Sequence, residues 1–212
     1  MVRLEHRFLV YVPQGDGPHP VLCFLHGAGE GARDKKGSPQ LLEKLFEHQS
    51  PAWHAENGTP FGSRFLLVCP QLERYRRWEP TDASLIDAVV ETAISDYKGD
   101  KSRLVLTGFS YGGEGAFQIA SESTHRWSTI FAVDPALQRV PPYPAADVRV
   151  WVHHGRQQPG THNMDSFAQG LGLQPWTGAL GASRVLTNSD TDHGPTCAQA
   201  YVQADVCNWM LR

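Results

Sequence analysis

A serine stands between two glycines in the pentapeptide Gly108-Phe109-Ser110-Tyr111-Gly112. An apolar stretch, RLVLTGF, leads into it, and a stretch of small residues, GGEGAFQIA, follows, which is typical of a strand, a sharp turn and a helix. Such a turn has little room for a Cβ atom two residues before or after the serine, and glycine occupies both positions. Because the turn presents the serine oxygen at the start of a helix, we predict that Ser110 is a catalytic nucleophile.

A serine hydroxyl is a poor nucleophile at neutral pH and needs a base to take its proton. That base is commonly a histidine that a carboxylate holds in one tautomer. The chain has ten histidines, and only His193 follows the last predicted strand, in SRVLTNSDTDHGP. Its position, together with the serine motif, predicts that His193 is the general base.

A third motif, His26-Gly27-Ala28-Gly29-Glu30, directly follows the apolar run 21–27. Acyl transfer places negative charge on a carbonyl oxygen, and fixed backbone N–H groups stabilise that charge. We expect one donor from this glycine-rich loop, at Ala28, and the other from the residue after the nucleophile, Tyr111. We expect His26 to shape the loop through a hydrogen bond to the backbone.

The three motifs, in this order and spacing, resemble those of the α/β-hydrolases. The resemblance is to the small esterases, the phospholipase/carboxylesterase group and the dienelactone-hydrolase-like members, and it extends from about residue 8 to residue 211. It implies a Ser–Asp/Glu–His triad in chain order and hydrolysis of an ester of a small-molecule acyl substrate through an acyl-enzyme, without a cofactor. A thioesterase or a peptidase would use the same parts.

The acid of the triad is the part in which the chain departs from that pattern. In the resembled family the acid usually follows the seventh strand, in a sequence like HG-x-x-D-P, and here the segment reads HGRQQP with Gln158 in the acidic position. An amide can hold an imidazole but cannot offset its positive charge, and such a replacement costs about four powers of ten in rate.

Two other carboxylates are candidates for the acid. Asp134 ends an apolar strand in FAVDPA, and Asp165 lies in THNMDSF. Each has an ordinary structural explanation, Asp134 as a turn residue before Pro135 and Asp165 as a helix N-cap. A third possibility is that no acid is present, in which case the chain would be a non-catalytic binding protein on a hydrolase scaffold.

The elements that must position these residues alternate between short apolar strands and helices. Strands are predicted at 8–12, 21–27, 65–70, 103–109, 128–134, 148–154 and 183–187. Helices are predicted at 40–48, 82–97, 111–122, 164–171 and 195–211. Alternating strands and helices predict an α/β fold with a mostly parallel central sheet and helices on both faces, and we expect one domain over residues 1–212. Ligands of such sheets bind at the carboxyl ends of the strands, where the candidate residues lie.

Three connecting segments are expected to determine access to the site. Segment 135–147 contains four prolines, which predicts a stiff loop and no large cap domain. Segment 28–64, with Trp53 and Phe61, and segment 71–81 follow strands and are expected to rim the site. In the latter, Trp78 and Tyr75 accompany three arginines. We interpret these arginines as a solvated charge cluster paired with Glu73 and Glu79, and the alternative is that they favour an acidic substrate.

Composition excludes several functional classes. The net charge is −3, from 19 basic and 22 acidic residues, and it predicts neither nucleic-acid binding nor attraction to an anionic membrane. No apolar run is long enough to span a membrane, and the first residues do not form a signal peptide, so we expect a cytoplasmic protein. A processed secreted form would have much the same sequence. The spacing of histidines and glycines predicts neither a metal site nor a nucleotide cofactor.

The four cysteines show no metal-binding or redox spacing. Cys23 and Cys69 lie inside apolar runs, which favours buried thiols over a disulfide. Cys197 and Cys207 would be about 15 Å apart on one continuous helix, too far to pair unless the segment bends. The sequence does not predict the oligomeric state.

Overall fold

The structure is a computed structural model that describes residues 7–138, 140–156 and 164–212. Its strands are β1 (Phe8–Tyr11), β2 (His19–Leu25), β3 (Leu66–Pro70), β4 (Gly99–Phe109), β5 (Thr129–Val133), β6 (Arg149–His154), β7 (Gln174–Pro175) and β8 (Arg184–Asn188). They form one sheet in the order β1-β3-β2-β4-β5-β6-β8-β7, in which β1 is antiparallel to β3 and every other pairing is parallel. The prediction of a mostly parallel sheet is confirmed, and only the two-residue edge strand β7 was not predicted.

The helices are α1 (Pro51–Glu56), α2 (Ala83–Tyr97), α3 (Tyr111–Glu122), α4 (Met164–Leu171), α5 (His193–Ala200) and α6 (Ala204–Met210). The predicted helix 195–211 is wrong in one respect, because the chain turns at 201–203 and forms two helices. The predicted helix 40–48 is instead a 3-10 segment, Leu42–Gln49, with a kink at Glu47 and His48. In α2, Ile86, Val89, Val90 and Ala93 are buried, as expected for the apolar face of a helix that packs on a sheet.

The core lies on both faces of the sheet. Along β2, Val21, Cys23 and Leu25 pack on the face that α2 and α3 cover, whereas Leu22 and Phe24 pack on the opposite face. Residues of one strand thus alternate between two apolar layers, which explains why the central strands are continuous apolar runs.

The cysteines are all free and buried. Burial raises the pKa of the Cys23 and Cys197 thiols, so these two thiols remain protonated at neutral pH. The chain turns between α5 and α6, so Cys197 and Cys207 do not lie on one continuous helix, and they do not form a disulfide.

The connection after β5 contains no helix at any described position from 135 to 147, in agreement with the expectation of a loop without a large cap domain. Among the helices that the structure describes, none is both long and apolar enough to cross a membrane.

The parallel strands direct the chemistry to one edge of the sheet. The residues that directly follow β2, β4 and β5 are His26, Ser110 and Asp134, and His193 follows β8 after a short loop. Because these four strands run in the same direction, the carboxyl ends of all four lie at the same edge.

Candidate active site

Ser110 lies at a sharp turn between β4 and α3. Its backbone has φ 57° and ψ −115°, a conformation that residues other than glycine rarely adopt. The turn is held by β5 and its loop, since Ser110 N–H donates to the carbonyl of Val133 (3.0 Å) and Ala136 N–H donates to the carbonyl of Ser110 (3.1 Å). A strained backbone that neighbouring elements fix in this way is typical of a functional position.

The two glycines of the pentapeptide let β2, β4 and α3 approach one another closely. A Cβ atom on Gly112 would lie 1.8 Å from the carbonyl oxygen of Leu25, and one on Gly108 would lie 2.3 Å from the carbonyl oxygen of Gly112. Backbone atoms occupy both spaces, so no change of side-chain rotamer can relieve the overlap.

We expect Gly112→Ala to destabilise the fold by at least about 3 kcal/mol or to abolish folding, because the methyl group overlaps backbone atoms of β2. Gly29→Ala is the matched control. Within the described part of the chain, no atom outside its own turn lies within 4 Å of its Cβ position, and we expect a change within about 0.5 kcal/mol. Urea unfolding followed by circular dichroism measures both, and equal midpoints for the two variants would contradict this account of the turn.

His193 hydrogen-bonds to a carboxylate that is itself held from two sides. Its Nδ1 lies 2.5 Å from Oδ2 of Asp134. The other oxygen of Asp134 accepts a hydrogen bond from Gly155 N–H (3.0 Å), and Asp134 N–H donates to the carbonyl of His153 (2.7 Å). A carboxylate only accepts, so Nδ1 of His193 carries the proton and, in the neutral ring, Nε2 has the free lone pair.

Phe109 connects this pair to the serine turn. Its ring packs against the ring of His193 with the centroids 4.4 Å apart, and the next residue in the chain is Ser110. Ser110 is 7% exposed and the His193 side chain is 32% exposed, so the imidazole lies at the more open side of the site.

The loop after β2 contacts the serine turn from the other side. A Cβ atom on Gly27 would lie 3.3 Å from Cβ of Ser110. Ala28 opens the 3-10 turn Ala28–Glu30, and Tyr111 is the first residue of α3. The first N–H groups of a helix have no partner inside it, so the N–H groups of Ala28 and Tyr111 can serve as donors to a ligand.

His26 fixes the shape of this loop, as the sequence predicts. Its Nε2 accepts a hydrogen bond from Leu72 N–H (3.0 Å), so Nδ1 carries the proton and donates to the carbonyl of Gly27 (2.6 Å). Burial lowers the pKa of His26, which favours the neutral ring that this pattern requires. Trp78 adds a hydrogen bond from its Nε1 to the carbonyl of His26 (2.9 Å).

Solved structures of several esterases superimpose on the chain. A thermostable esterase matches with a TM-score of 0.64 at 17% identity, over 96% of this chain and 58% of that one. Esterase 2 of Thermogutta terrifontis with bound butyrate matches with a TM-score of 0.62 at 15% identity, over 92% and 85% of the two chains. The chain has the α/β-hydrolase fold.

A third match is the feruloyl esterase module of Clostridium thermocellum in complex with sinapinate, with a TM-score of 0.63 at 12% identity over 98% of this chain and 89% of that one. The chain spans 58% of the length of the thermostable esterase. No protein-family model and no curated protein matches the chain. At these identities the similarity establishes the α/β-hydrolase fold and does not establish the activity.

The two carboxylates that the sequence leaves open occupy different places in the hydrolase fold. Asp134 hydrogen-bonds His193, whereas Asp165 is exposed in the first turn of α4. Gln158, which stands in the acidic position of the resembled motif, lies outside the described residues. The structure therefore supports Asp134 as the partner of His193.

Two of the three arginines of segment 71–81 are paired with buried carboxylates. Arg76 forms two hydrogen bonds of 2.6 Å with the carboxylate of Asp82. Arg77 hydrogen-bonds to Glu114, and its guanidinium lies 3.9 Å over the ring of Tyr111. Asp82 and Glu114 form these hydrogen bonds, whereas the expected partners Glu73 and Glu79 act on Arg76 only through longer-range attraction.

The aromatic residues expected at the rim divide into two groups. Tyr75 packs against Tyr111 with centroids 6.3 Å apart and so lies beside the serine turn. Trp78 is buried against His26, and Phe61 is buried in the core. Phe61 and Trp53 line a separate cavity of about 590 Å³ near the end of α5. The prediction was wrong for Trp78, Phe61 and Trp53 because the first two serve core packing and the third faces that cavity.

The backbone carbonyl of His153 accepts a hydrogen bond from Asp134 N–H, and the titration of the His153 side chain affects the stability of the fold. Burial, with a smaller contribution from His154, lowers the pKa of His153 to about 4 from its ordinary 6.5. The unfolded chain therefore binds more protons than the folded chain between these values, and the free energy of unfolding falls as the pH drops from 6.5 to 4. We expect this one group to contribute about 3 kcal/mol to that fall.

His153→Gln removes the titrating ring, so its unfolding free energy is expected to vary less over that pH range than that of the wild type. Urea titrations at half-unit pH intervals measure the difference. Parallel curves for the two proteins would contradict the assignment to His153.

Proposed function

We propose that this protein is a serine hydrolase that cleaves carboxylic esters of small molecules, with Ser110 as nucleophile, His193 as base and Asp134 as acid. The observation that carries the proposal is the hydrogen bond between His193 Nδ1 and Asp134, next to a strained turn that holds Ser110. The esterase names of the superimposed structures support the same reaction class.

In the proposed first step, Ser110 Oγ attacks the ester carbonyl carbon while Nε2 of His193 takes the hydroxyl proton. The carbonyl oxygen becomes an oxyanion, and the N–H groups of Ala28 and Tyr111 stabilise it. As the carbon–oxygen bond to the alcohol breaks, His193 returns the proton to the leaving oxygen. The products of this half-reaction are the free alcohol and an acyl group on Ser110.

Hydrolysis of the acyl group repeats these roles with water as the nucleophile. His193 takes a proton from water, the hydroxide adds to the acyl carbon, and Ser110 leaves with the proton that His193 returns. Asp134 stabilises the imidazolium that forms in each half-reaction, and its hydrogen bond from Gly155 keeps the carboxylate aimed at Nδ1.

The test is hydrolysis of 4-nitrophenyl acetate and butyrate, combined with labelling by a fluorophosphonate. We expect the wild type to turn over both esters and to lose activity when labelled, and we expect Ser110→Ala to remain unlabelled. Equal labelling of the wild type and of Ser110→Ala would overturn the proposal, and so would a folded wild type that hydrolyses neither ester.

A thioesterase or a peptidase would use the same groups, so the bond type needs its own comparison. We propose that the ester is preferred over the amide, in keeping with the esterase names of the superimposed structures. Rates on a matched butyryl ester, thioester and anilide rank the three bonds directly. A higher kcat/KM for the thioester or the anilide than for the ester would change the assigned bond type.

A further inference from the structure

A second carboxylate and a second histidine adjoin the proposed catalytic residues. Glu30, in the loop after β2, is 6% exposed, and its Oε2 is buried without a hydrogen-bond partner among the described residues. That oxygen lies 2.9 Å from the Cβ position of Gly27, a position that also contacts Ser110 Cβ at 3.3 Å. Glu30 is therefore a close neighbour of the nucleophile.

His48 lies between Glu30 and the segment that carries His193. Its Nε2 is 3.5 Å from Oε1 of Glu30, and its ring packs against Phe109 with centroids 5.2 Å apart. Phe109 also packs against His193, so both imidazoles contact the same aromatic ring. Nδ1 of His48 lies 3.0 Å from the Cβ position of Gly194, directly after His193 in the chain.

The two nitrogens of His48 have different surroundings. Nε2 faces the buried Glu30, whereas Nδ1 faces the His193 segment and has no hydrogen-bond partner within the described part of the chain. The His48 side chain is 39% exposed, and that of Glu30 is 8% exposed. His48 can thus contact a ligand in the site, whereas the buried Glu30 acts through its neighbours, His48 at 3.5 Å and His26 at 3.9 Å.

The charges of the pair favour the doubly protonated ring. The interaction with Glu30 raises the pKa of His48 against the opposing effect of its partial burial, and Glu47 adds to the rise while Lys44 opposes it. Burial alone would raise the pKa of Glu30, but the interactions with His48 and His26 lower it below its ordinary value. An imidazolium paired with a carboxylate through Nε2 still has an N–H donor at Nδ1.

The backbone holds His48 in this place at some cost. His48 and Gln49 both have positive φ angles, 58° and 50°, which are uncommon for residues with a side chain. Two such residues in succession at the end of a 3-10 segment direct the imidazole toward the edge of the sheet where Ser110 and His193 lie. Backbone strain of this kind is concentrated at ligand-binding and catalytic positions.

We propose that His48 binds an anionic oxygen on the alcohol portion of the ester, and that Glu30 is the residue that positions it. This inference rests on the proposed function. His193 must reach the leaving alcohol oxygen to return its proton, so the alcohol portion lies next to His193 and the adjoining His48. A donor with positive charge at that place favours an alcohol that carries a carboxylate over one that ends in a methyl group.

Two pairs of acetate esters test the proposal, propyl acetate with 3-acetoxypropanoate and butyl acetate with 4-acetoxybutanoate. Within each pair, a carboxylate replaces the terminal methyl group of the alcohol. We expect His48→Gln to lower the carboxylate-to-methyl ratio of kcat/KM by about tenfold in at least one pair, the effect of losing one charge-assisted hydrogen bond. A ratio that changes less than threefold in both pairs would overturn the proposal, since a structural role would lower both rates together.

Glu30→Gln and Glu43→Gln distinguish the positioning of His48 by Glu30 from the general effect of removing a negative charge. Without Glu30, His48 loses its proton at a lower pH, so we expect the carboxylate preference of Glu30→Gln to disappear at a lower pH than in the wild type. Glu43→Gln removes an exposed carboxylate from the same 3-10 segment, and we expect its ratio to match that of the wild type. Identical pH profiles for the wild type and Glu30→Gln would remove Glu30 from the proposal.

A binding measurement in Ser110→Ala makes the test independent of turnover. The ring signals of His48 in an NMR spectrum are expected to shift saturably with 4-acetoxybutanoate and not with butyl acetate. Failure of both esters to move these signals would overturn the inference about His48. The proposed function would stand or fall separately, on the labelling of Ser110.

Discussion

Replacing Asp134 with asparagine is expected to lower kcat/KM for a simple ester by about four powers of ten. Asparagine can still accept the hydrogen bond from Gly155 N–H through its carbonyl oxygen, so the fold around residue 134 is preserved. Its NH₂ group then faces His193, which forces the imidazole proton onto Nε2. That nitrogen can no longer accept the proton of Ser110.

Asp165→Asn is the matched control for this substitution, because it is the other carboxylate that the sequence offers as the acid. Its exposed position at the start of α4 predicts a change in kcat/KM of less than about threefold. Steady-state kinetics on 4-nitrophenyl butyrate measures both variants. A larger loss for Asp165→Asn than for Asp134→Asn would show that the acid is misassigned.

Replacing Ser110 with alanine is expected to lower kcat by about six powers of ten, which leaves only the rate that the oxyanion donors and substrate binding provide. Alanine has no oxygen to form the acyl-enzyme, and it is small enough for the space that Ser110 occupies beside Gly27. The expected loss exceeds that for Asp134→Asn because the covalent step itself disappears.

Ser121→Ala, on the exposed end of the same helix, controls for the loss of a serine hydroxyl from α3. We expect its kcat and its urea midpoint to match those of the wild type. Single-turnover and steady-state assays on the same ester compare the three proteins. Residual activity of Ser110→Ala above about one per cent would require a different nucleophile.

Local sequence is sufficient to predict the parts of the fold that depend on nearest neighbours. Buried parallel strands are continuous apolar runs, so seven of the eight strands could be located, and the sharp turn at Ser110 is specified by Gly108 and Gly112. The break between α5 and α6 could not be predicted, because Tyr201 is buried in the core at the end of α5 and the turn follows from that packing.

The partner of His193 depends on the order of strands in the sheet, which no short motif records. Asp134 lies 59 residues before His193 and reaches it because β5, β6 and β8 are consecutive neighbours. The motif with Gln158 has no carboxylate in the usual acidic position, so the sequence left Asp134 and Asp165 as candidates. An aspartate between Val133 and Pro135, at the end of a buried strand, is what a catalytic acid would look like in the sequence. An ordinary turn before a proline has the same sequence pattern.

The pairing of Glu30 with His48 was not predicted at all. Glu30 belongs to the motif HGAGE, yet His48 lies in a segment where the apolar pattern predicts an ordinary helix. Its position depends on two consecutive residues with positive φ, His48 and Gln49, and neither is a glycine or an asparagine that would signal such a conformation. Only the folded arrangement shows that a second imidazole adjoins the first.

The most direct test of the central claim, that Ser110 forms a covalent acyl-enzyme, is mass spectrometry of the protein quenched in acid during turnover of 4-nitrophenyl butyrate. We predict that the intact chain gains the mass of one butyryl group, which peptide mapping locates on the fragment that contains Ser110. We expect the acyl-enzyme to accumulate in Asp134→Asn if deacylation is slowed more than acylation. A protein that hydrolyses the ester while its acyl group is found on another residue, or on none under conditions that trap an acyl-enzyme in a known serine esterase, would contradict the account.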